Sequence, residues 1–264
     1  MELFFRKIGK GYPIIILHGL YGMSDNWMTI ARILSVNNEI WLPDLRNHGH
    51  SPHADIHTYE SLSMDVVEFI DTHKIHKPII IGHSMGGKVA MTLAKNNQEH
   101  IAGLCIVDIA PKNYNINETQ DLHSHQHIIQ SLCSLDIDKI QRREEADELL
   151  SKYLPSPMLR AFLLKNLQRT QTGFKWLFNL PVFKKYLPQI AGGFDESWRN
   201  TSISGFPVLF LKGEQSDYIT KEDYALIEQI FPGSVMQTIS NAGHWLHAQN
   251  PEAFIKAIKE NLLA

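Results

Sequence analysis

Only two cysteines occur in 264 residues, Cys105 and Cys133. That is too few for a disulfide framework or a four-thiolate zinc site, and a reducing, cytoplasmic setting fits best. No apolar run approaches the roughly 20 residues that span a bilayer. The stretch Ile14-Ile15-Ile16-Leu17 near the start is also shorter than the core of an export signal, which runs to about 7–15 residues. Long runs of like charge are missing, and 25 basic against 28 acidic residues leave a formal charge of −3, which speaks against a nucleic-acid partner and offers no membrane-binding patch. Repeats and low-complexity segments are absent. What is present is a globular composition: 44% apolar and 20% charged residues suffice to bury a core.

Short apolar runs that do not alternate, each ending at a polar or glycine-rich turn, read as strands buried on both faces of a parallel sheet. They are Ile14–Leu17, Ile40–Leu42, Pro78–Ile81, Leu104–Val107, Val208–Leu211 and Val235–Ile239. Helical stretches lie between them. Thr58 caps one whose Leu62, Val66, Phe69 and Ile70 share a face; Thr220 with Asp223 forms a capping box before Leu226, Ile227 and Ile230; Asn250-Pro251 opens a third through Phe254, Ile258 and Leu262. Alternating strands and helices imply an α/β fold with a mostly parallel central sheet covered on both faces. From about Lys112 to Ser204 the strand signal stops. Leu149, Leu150, Tyr153, Leu159, Phe162 and Leu163 stand among charged residues there, and Pro155, Pro157, Pro181 and Pro188 are expected to divide the region into short helices. The expected organisation is a core of residues 1–111 and 205–264 with a helical cap, or lid, inserted at 112–204.

Gly82-His83-Ser84-Met85-Gly86 matches the G-x-S-x-G nucleophile elbow. The pentapeptide is too short to decide a function alone, since an ordinary glycine-rich strand-to-helix turn can read the same way. Its setting decides: Ile79-Ile80-Ile81 precedes it and Lys88-Val89-Ala90-Met91-Thr92-Leu93-Ala94 follows it, the strand, turn and helix the motif requires. Ser84 would then stand at a helix N-terminus, where free backbone amides favour a developing oxyanion. His18-Gly19-Leu20-Tyr21-Gly22 follows an earlier strand, and the amides of Leu20 and Met85 are the expected oxyanion donors.

The base is expected late in the chain. Ala242-Gly243-His244-Trp245 lies between the last strand and the last helix, which makes His244 the candidate and His247 its competitor. Two aspartates could orient it. Asp108 closes Leu104–Val107, and Asp217 follows Gly213 one strand later. In many α/β-hydrolases the acid stands three residues after that glycine, where this chain has Ser216. A carboxylate displaced by one residue can be turned away from the imidazole, so Asp108 is favoured. Asp217 stays open as the alternative acid, with Ser216 as an auxiliary hydrogen-bonding group.

His18 to Gly22, Asp44-Leu45-Arg46-Asn47-His48-Gly49-His50-Ser51, Gly82 to Lys88 and Gly243-His244-Trp245 together resemble the α/β-hydrolase superfamily, and within it the YbfF-type esterases and their animal relatives. The Arg-Asn-His-Gly form is the most telling element. The resemblance covers most of the core and fades in the cap. It implies an esterase acting on short to medium acyl esters, with acyl-CoA thioesters as further candidates, and a triad acid at the position of Asp108; having Asp217 directly after Ser216 is a departure.

The expected function is thus a carboxylesterase or thioesterase working through an acyl-enzyme on Ser84 with His244 and Asp108, needing no cofactor and no metal. Its partners would be small acyl substrates, as a monomer or small homo-oligomer. Two alternatives remain: a lyase or carbon–carbon bond hydrolase on the same fold, and a non-enzymatic ligand-binding protein. Asp44 to Ser51 reads as a braced loop at the mouth of the site, and His18 as a loop brace. His123, His125 and His127 invite a metal reading but fit solvated lid residues better. Trp176, Phe178 and Phe183 could wall an acyl pocket, although cap core is the commoner use of such residues.

Overall fold

A computed structural model of the protein describes residues 1–114 and 120–263, with main chain alone for 120–124. Nine strands appear among the described residues: β1 (Phe5–Gly9), β2 (Tyr12–Leu17), β3 (Asn38–Pro43), β4 (Ile79–His83), β5 (Gly103–Val107), β6 (Leu167–Arg169), β7 (Phe174–Trp176), β8 (Val208–Gly213) and β9 (Val235–Ile239). The helices are α1 (Met28–Leu34), α2 (Tyr59–Thr72), α3 (Met85–Asn96), α4 (Gln120–Cys133), α5 (Arg143–Ser151), α6 (Pro157–Leu164), α7 (Leu180–Ala191), α8 (Tyr224–Ile230), α9 (Leu246–Gln249) and α10 (Pro251–Leu262).

Seven strands form one sheet in the order β1-β3-β2-β4-β5-β8-β9, parallel except where β1 pairs with β3. All six strands expected from the apolar runs are in it. Because successive side chains leave a strand on opposite faces, the runs feed two cores. Ile15, Leu17, Ile80, Leu104, Ile106 and Phe210 meet the buried faces of α2, α3 and α8. Ile14, Ile16, Ile81, Cys105, Val107 and Leu211 meet α1 and α10. An uninterrupted apolar run is what such two-sided burial demands.

The helix starts follow local chemistry. Thr58 accepts the amide of Ser61, and Asn250 accepts that of Ala253 ahead of a first-turn proline. Thr220 and Asp223 form the capping box, which opens a short 3₁₀ turn before α8.

Three features differ from the sequence expectation. β1, carrying Arg6 and Lys7, has little apolar signal because it is a half-buried edge strand. The region between β5 and β8 is not purely helical: β6 and β7 form a two-stranded antiparallel hairpin within it, each too short to show a period. Pro188 sits inside α7 rather than ending it. It lies on the exposed face, as does Lys184 one turn earlier, so the carbonyl that loses its partner can turn to water. Among the described residues no helix is long and apolar enough to cross a membrane.

Candidate active site

The C-terminal ends of the parallel strands carry the candidate groups, the edge where open α/β sheets place their ligand sites. Ser84 follows β4, Asp108 follows β5, Ser216 lies just beyond β8 and His244 beyond β9. Ser84 has φ 52° and ψ −117°, a region where a non-glycine residue is strained. The turn is held by its neighbours. The Ser84 amide donates to Val107 O at 3.0 Å, and Ser84 O accepts the amide of Lys88 at 3.1 Å. Both flanking glycines are required by close approach: a Cβ on Gly82 would lie 2.4 Å from Gly86 O, and one on Gly86 would lie 2.4 Å from Leu17 O.

Asp108, fully buried at φ 52°, is the most heavily engaged carboxylate here. Its Oδ1 accepts the Gly213 amide at 2.9 Å. Its Oδ2 accepts the Ser216 hydroxyl and meets His244 Nδ1 at 2.8 Å. Three donors therefore compensate one buried charge. Ser216 Oγ in turn accepts the Tyr218 amide at 3.3 Å. An aspartate at 216 would set a second carboxylate against Asp108, and like charges at that range oppose joint ionisation; a hydroxyl supports the existing one instead. Asp217, one residue on, is exposed.

His244 is fixed from several sides. Tyr218 stacks on its ring at 3.8 Å and 16°. His83 Nε2 donates to its carbonyl at 2.9 Å, which leaves His83 in the Nε2–H form. His247 also borders the cavity, but it is buried and stacked on Trp27 at 4.0 Å and 14°, with no carboxylate against its ring among the described residues. Tyr218 and His83 are site residues the sequence did not announce. Their only signals are adjacency to Ser216-Asp217 and to Ser84.

His18 accepts the Leu45 amide at Nε2 at 2.9 Å and donates from Nδ1 to Gly19 O, so it braces one loop against the next. Asp44 accepts the amides of Ser24 at 2.6 Å and His50 at 2.9 Å. Arg46 grips Asp65 through two nitrogens, 2.5 and 2.7 Å. The Asp44–Ser51 segment is thus internally tied.

Ser84, His244 and Leu20 open onto a cavity of about 410 Å³, within the range of small-molecule sites. Its walls include Leu154, Pro155, Leu159, Phe162 and Trp245, mostly apolar groups from the excursion between β5 and β8. Met85 lines a smaller chamber, which Ser84 lines as well. His125 and His127 line the larger cavity, and His127 Nε2 donates to Tyr153 O at 2.7 Å; the side chain of His123 lies outside the described residues. No three histidine, cysteine or acidic groups converge as a metal site among the described residues. Trp176, Phe178 and Phe183 are not among the described residues of the cavity wall. Trp176 stacks on Phe178 at 5.0 Å, Phe178 meets Tyr21, and Phe183 packs on His48 and His57, joining the excursion to the core loops.

Burial keeps several histidines neutral. It pushes His247 down to about 3, with His244 nearby adding to the effect, and His57 down to about 3, with Arg46 adding to it. An unfolded histidine titrates near 6.5. Below that pH the unfolded chain gains protons that the folded chain refuses, so stability is lost as pH falls from about 6.5 towards 3, by up to ~1.4 kcal/mol per unit for each group. Urea unfolding at pH 7 and pH 5 is expected to show a loss of about 2 kcal/mol from each of these two histidines. His247→Phe, which retains a ring against Trp27, should shrink the difference; equal stability at both pH values would contradict buried neutral histidines.

Residues 12–251 match the family model described as alpha/beta hydrolase fold. The chain is 38% identical over 256 residues to the sn-1-specific diacylglycerol lipase ABHD11 of Xenopus laevis, covering 94% of this chain and 78% of that one. It is 32% identical over 250 residues to Esterase YbfF of Escherichia coli (strain K12), covering 95% and 92%. Among solved structures, one titled Marine microorganism esterase superposes with a TM-score of 0.94 at 44% identity, covering 99% of both chains.

Proposed function

This chain belongs to the alpha/beta hydrolase family, and on that premise we propose that it is a carboxylesterase in which Ser84 is the nucleophile, His244 the general base and Asp108 the group that orients it. Esters of short to medium acyl chains are the proposed substrates, with acyl thioesters, acyl-CoA among them, as the further class. The observation that carries the reading is the 2.8 Å contact between His244 Nδ1 and a fully buried Asp108, at the edge of a cavity that Ser84 and His244 share.

The chemistry follows from those positions. His244 Nε2 takes the Ser84 proton as Oγ forms a bond to the acyl carbon. The amides of Leu20 and Met85 receive the charge that develops on the carbonyl oxygen. As the tetrahedral centre collapses, the carbon–oxygen bond to the alcohol breaks and the imidazolium returns its proton to that departing oxygen. Water then repeats the sequence on the acyl-serine and releases the acid. Residues 112–204 act as the cap that covers this centre, a role supported by the contributions of Leu154, Leu159 and Phe162 to the cavity wall.

A series of p-nitrophenyl esters tests the reading. Saturable turnover that is lost in Ser84→Ala supports it, whereas negligible turnover at every chain length favours a lyase or carbon–carbon bond hydrolase.

A further inference from the structure

Next to the main cavity, and sharing Ser84 with it, lies a second chamber of about 40 Å³. Ser84, Leu20, His125 and Tyr218 line both spaces. Among the described residues, however, His244 lines only the large one and Met85 only the small one. That asymmetry assigns the two halves of an ester. A tetrahedral centre on Ser84 has three remaining substituents. Its oxyanion faces the amides, and its departing oxygen must lie on the side of His244, which returns the proton to it. The acyl tail takes the remaining direction, away from His244 and past Met85.

We propose that the small chamber is the acyl subsite, and that Lys88 is a positioning residue that sets its depth. This inference rests on the esterase reading and narrows it. At 40 Å³ against 410 Å³ for the main cavity, the subsite suits the short acyl groups, from acetyl to about butyryl. The alcohol, with ten times the space, is the larger partner.

Lys88 enters through the chamber's outer wall. Leu187, Ile190 and Ala191 of α7 form that wall, and the C-terminal carbonyls of α7 are held there. The Tyr59 hydroxyl donates to Ile190 O. Lys88 Nζ donates to Ala191 O at 2.7 Å and to Gly192 O. The lysine is 1% exposed, and its ammonium lies 4.9–5.6 Å from the ring centres of Tyr114, Phe194 and Tyr59. No carboxylate oxygen pairs with it among the described residues. Burial pushes its pKa well below the usual lysine range, with Lys112 adding to the effect, while the carbonyl end of α7 and three aromatic faces are what favour the charged form. One turn of α3 separates Lys88 from Ser84, so the residue that carries the reaction and the residue that fixes the wall move as one rigid piece.

The test is an acyl series, p-nitrophenyl acetate to octanoate, and an alcohol series of acetate esters, run on the purified protein, Leu187→Ala, Lys88→Met and Tyr59→Phe. The unaltered protein is expected to show its highest kcat/KM at two to four acyl carbons and at least a tenfold fall at octanoate. Leu187→Ala should raise the octanoate-to-acetate ratio at least tenfold. Lys88→Met, which keeps the length but not the ammonium, should flatten the acyl profile and raise KM for acetate and butyrate several-fold. Tyr59→Phe should do the same in smaller measure, and it reports on the latch even where Lys88→Met fails to fold. The alcohol series should keep its order throughout. Ester turnover with an unmoved acyl profile in all three variants, or a shift confined to the alcohol series, overturns the subsite and leaves the esterase reading standing. A protein that cleaves no ester removes both.

Discussion

Replacing Ser84 with alanine is expected to lower kcat for ester hydrolysis by on the order of 10⁶ while leaving the fold intact. The side chain lost is a single hydroxyl, and Ala adopts the same backbone with strain comparable to that of serine, so circular dichroism and the unfolding midpoint should move little. What disappears is the hydroxyl proposed to attack, which lines the same cavity as His244. Knocking out one member of such a unit costs nearly as much as removing all of it, because the remaining groups then have nothing to activate. A residue of catalysis should survive, since amides directed at the carbonyl oxygen still assist direct attack by water. A loss of only tenfold would mean that the hydroxyl at the elbow is not the attacking group.

Asp108→Asn is expected to cost on the order of 10⁴ in kcat, and Asp217→Asn no more than about threefold. Asp108 Oδ2 lies 2.8 Å from His244 Nδ1; in the proposed mechanism it keeps the proton on that nitrogen and so leaves Nε2 to accept the serine proton. An amide can instead donate to Nδ1, which moves the ring proton to Nε2 and disables the base. Asp217 is exposed and its replacement by asparagine changes one solvated charge. Asp108→Asn also replaces one of two accepting oxygens with a donor inside a buried site, so it should lower the unfolding midpoint as well, and the kinetic loss is read per folded molecule; Asp217→Asn should leave the midpoint unchanged. The reverse order of losses would transfer the acid to the later turn.

Much of this architecture is legible from the residues, for a physical reason. Strands buried on both faces must be continuously apolar, so Ile79–Ile81 and Leu104–Val107 announce themselves; β1, with one face to solvent and Arg6 and Lys7 along it, does not. The elbow and the His244 loop are also readable, since the strand, turn and helix pattern is local. The choice between Asp108 and Asp217 is not local. It depends on how β5 and β8 lie side by side, with Val107 opposite Leu211, a register that spacing alone does not contain. Lys88 is the clearest case of a missed signal. A lysine in the apolar stretch after the elbow reads as an ordinary helix former, yet it is buried, and its partners Ala191 and Gly192 lie 103 and 104 positions away. Trp176, Phe178 and Phe183, read from the sequence first as packing residues and only second as a pocket wall, pack on one another and on Tyr21, His48 and His57, contacts that join the β5–β8 excursion to the core loops.

The most direct measurement is covalent labelling with a fluorophosphonate, followed by peptide mapping by mass spectrometry. Such reagents need an activated serine and form a stable adduct at the atom that would carry the acyl group. One adduct per chain, located on Ser84 and formed at least about 10² times more slowly in His244→Ala, is the predicted result. An adduct at another residue, or undiminished ester turnover by a chain whose Ser84 is fully modified, would contradict a nucleophile at this turn.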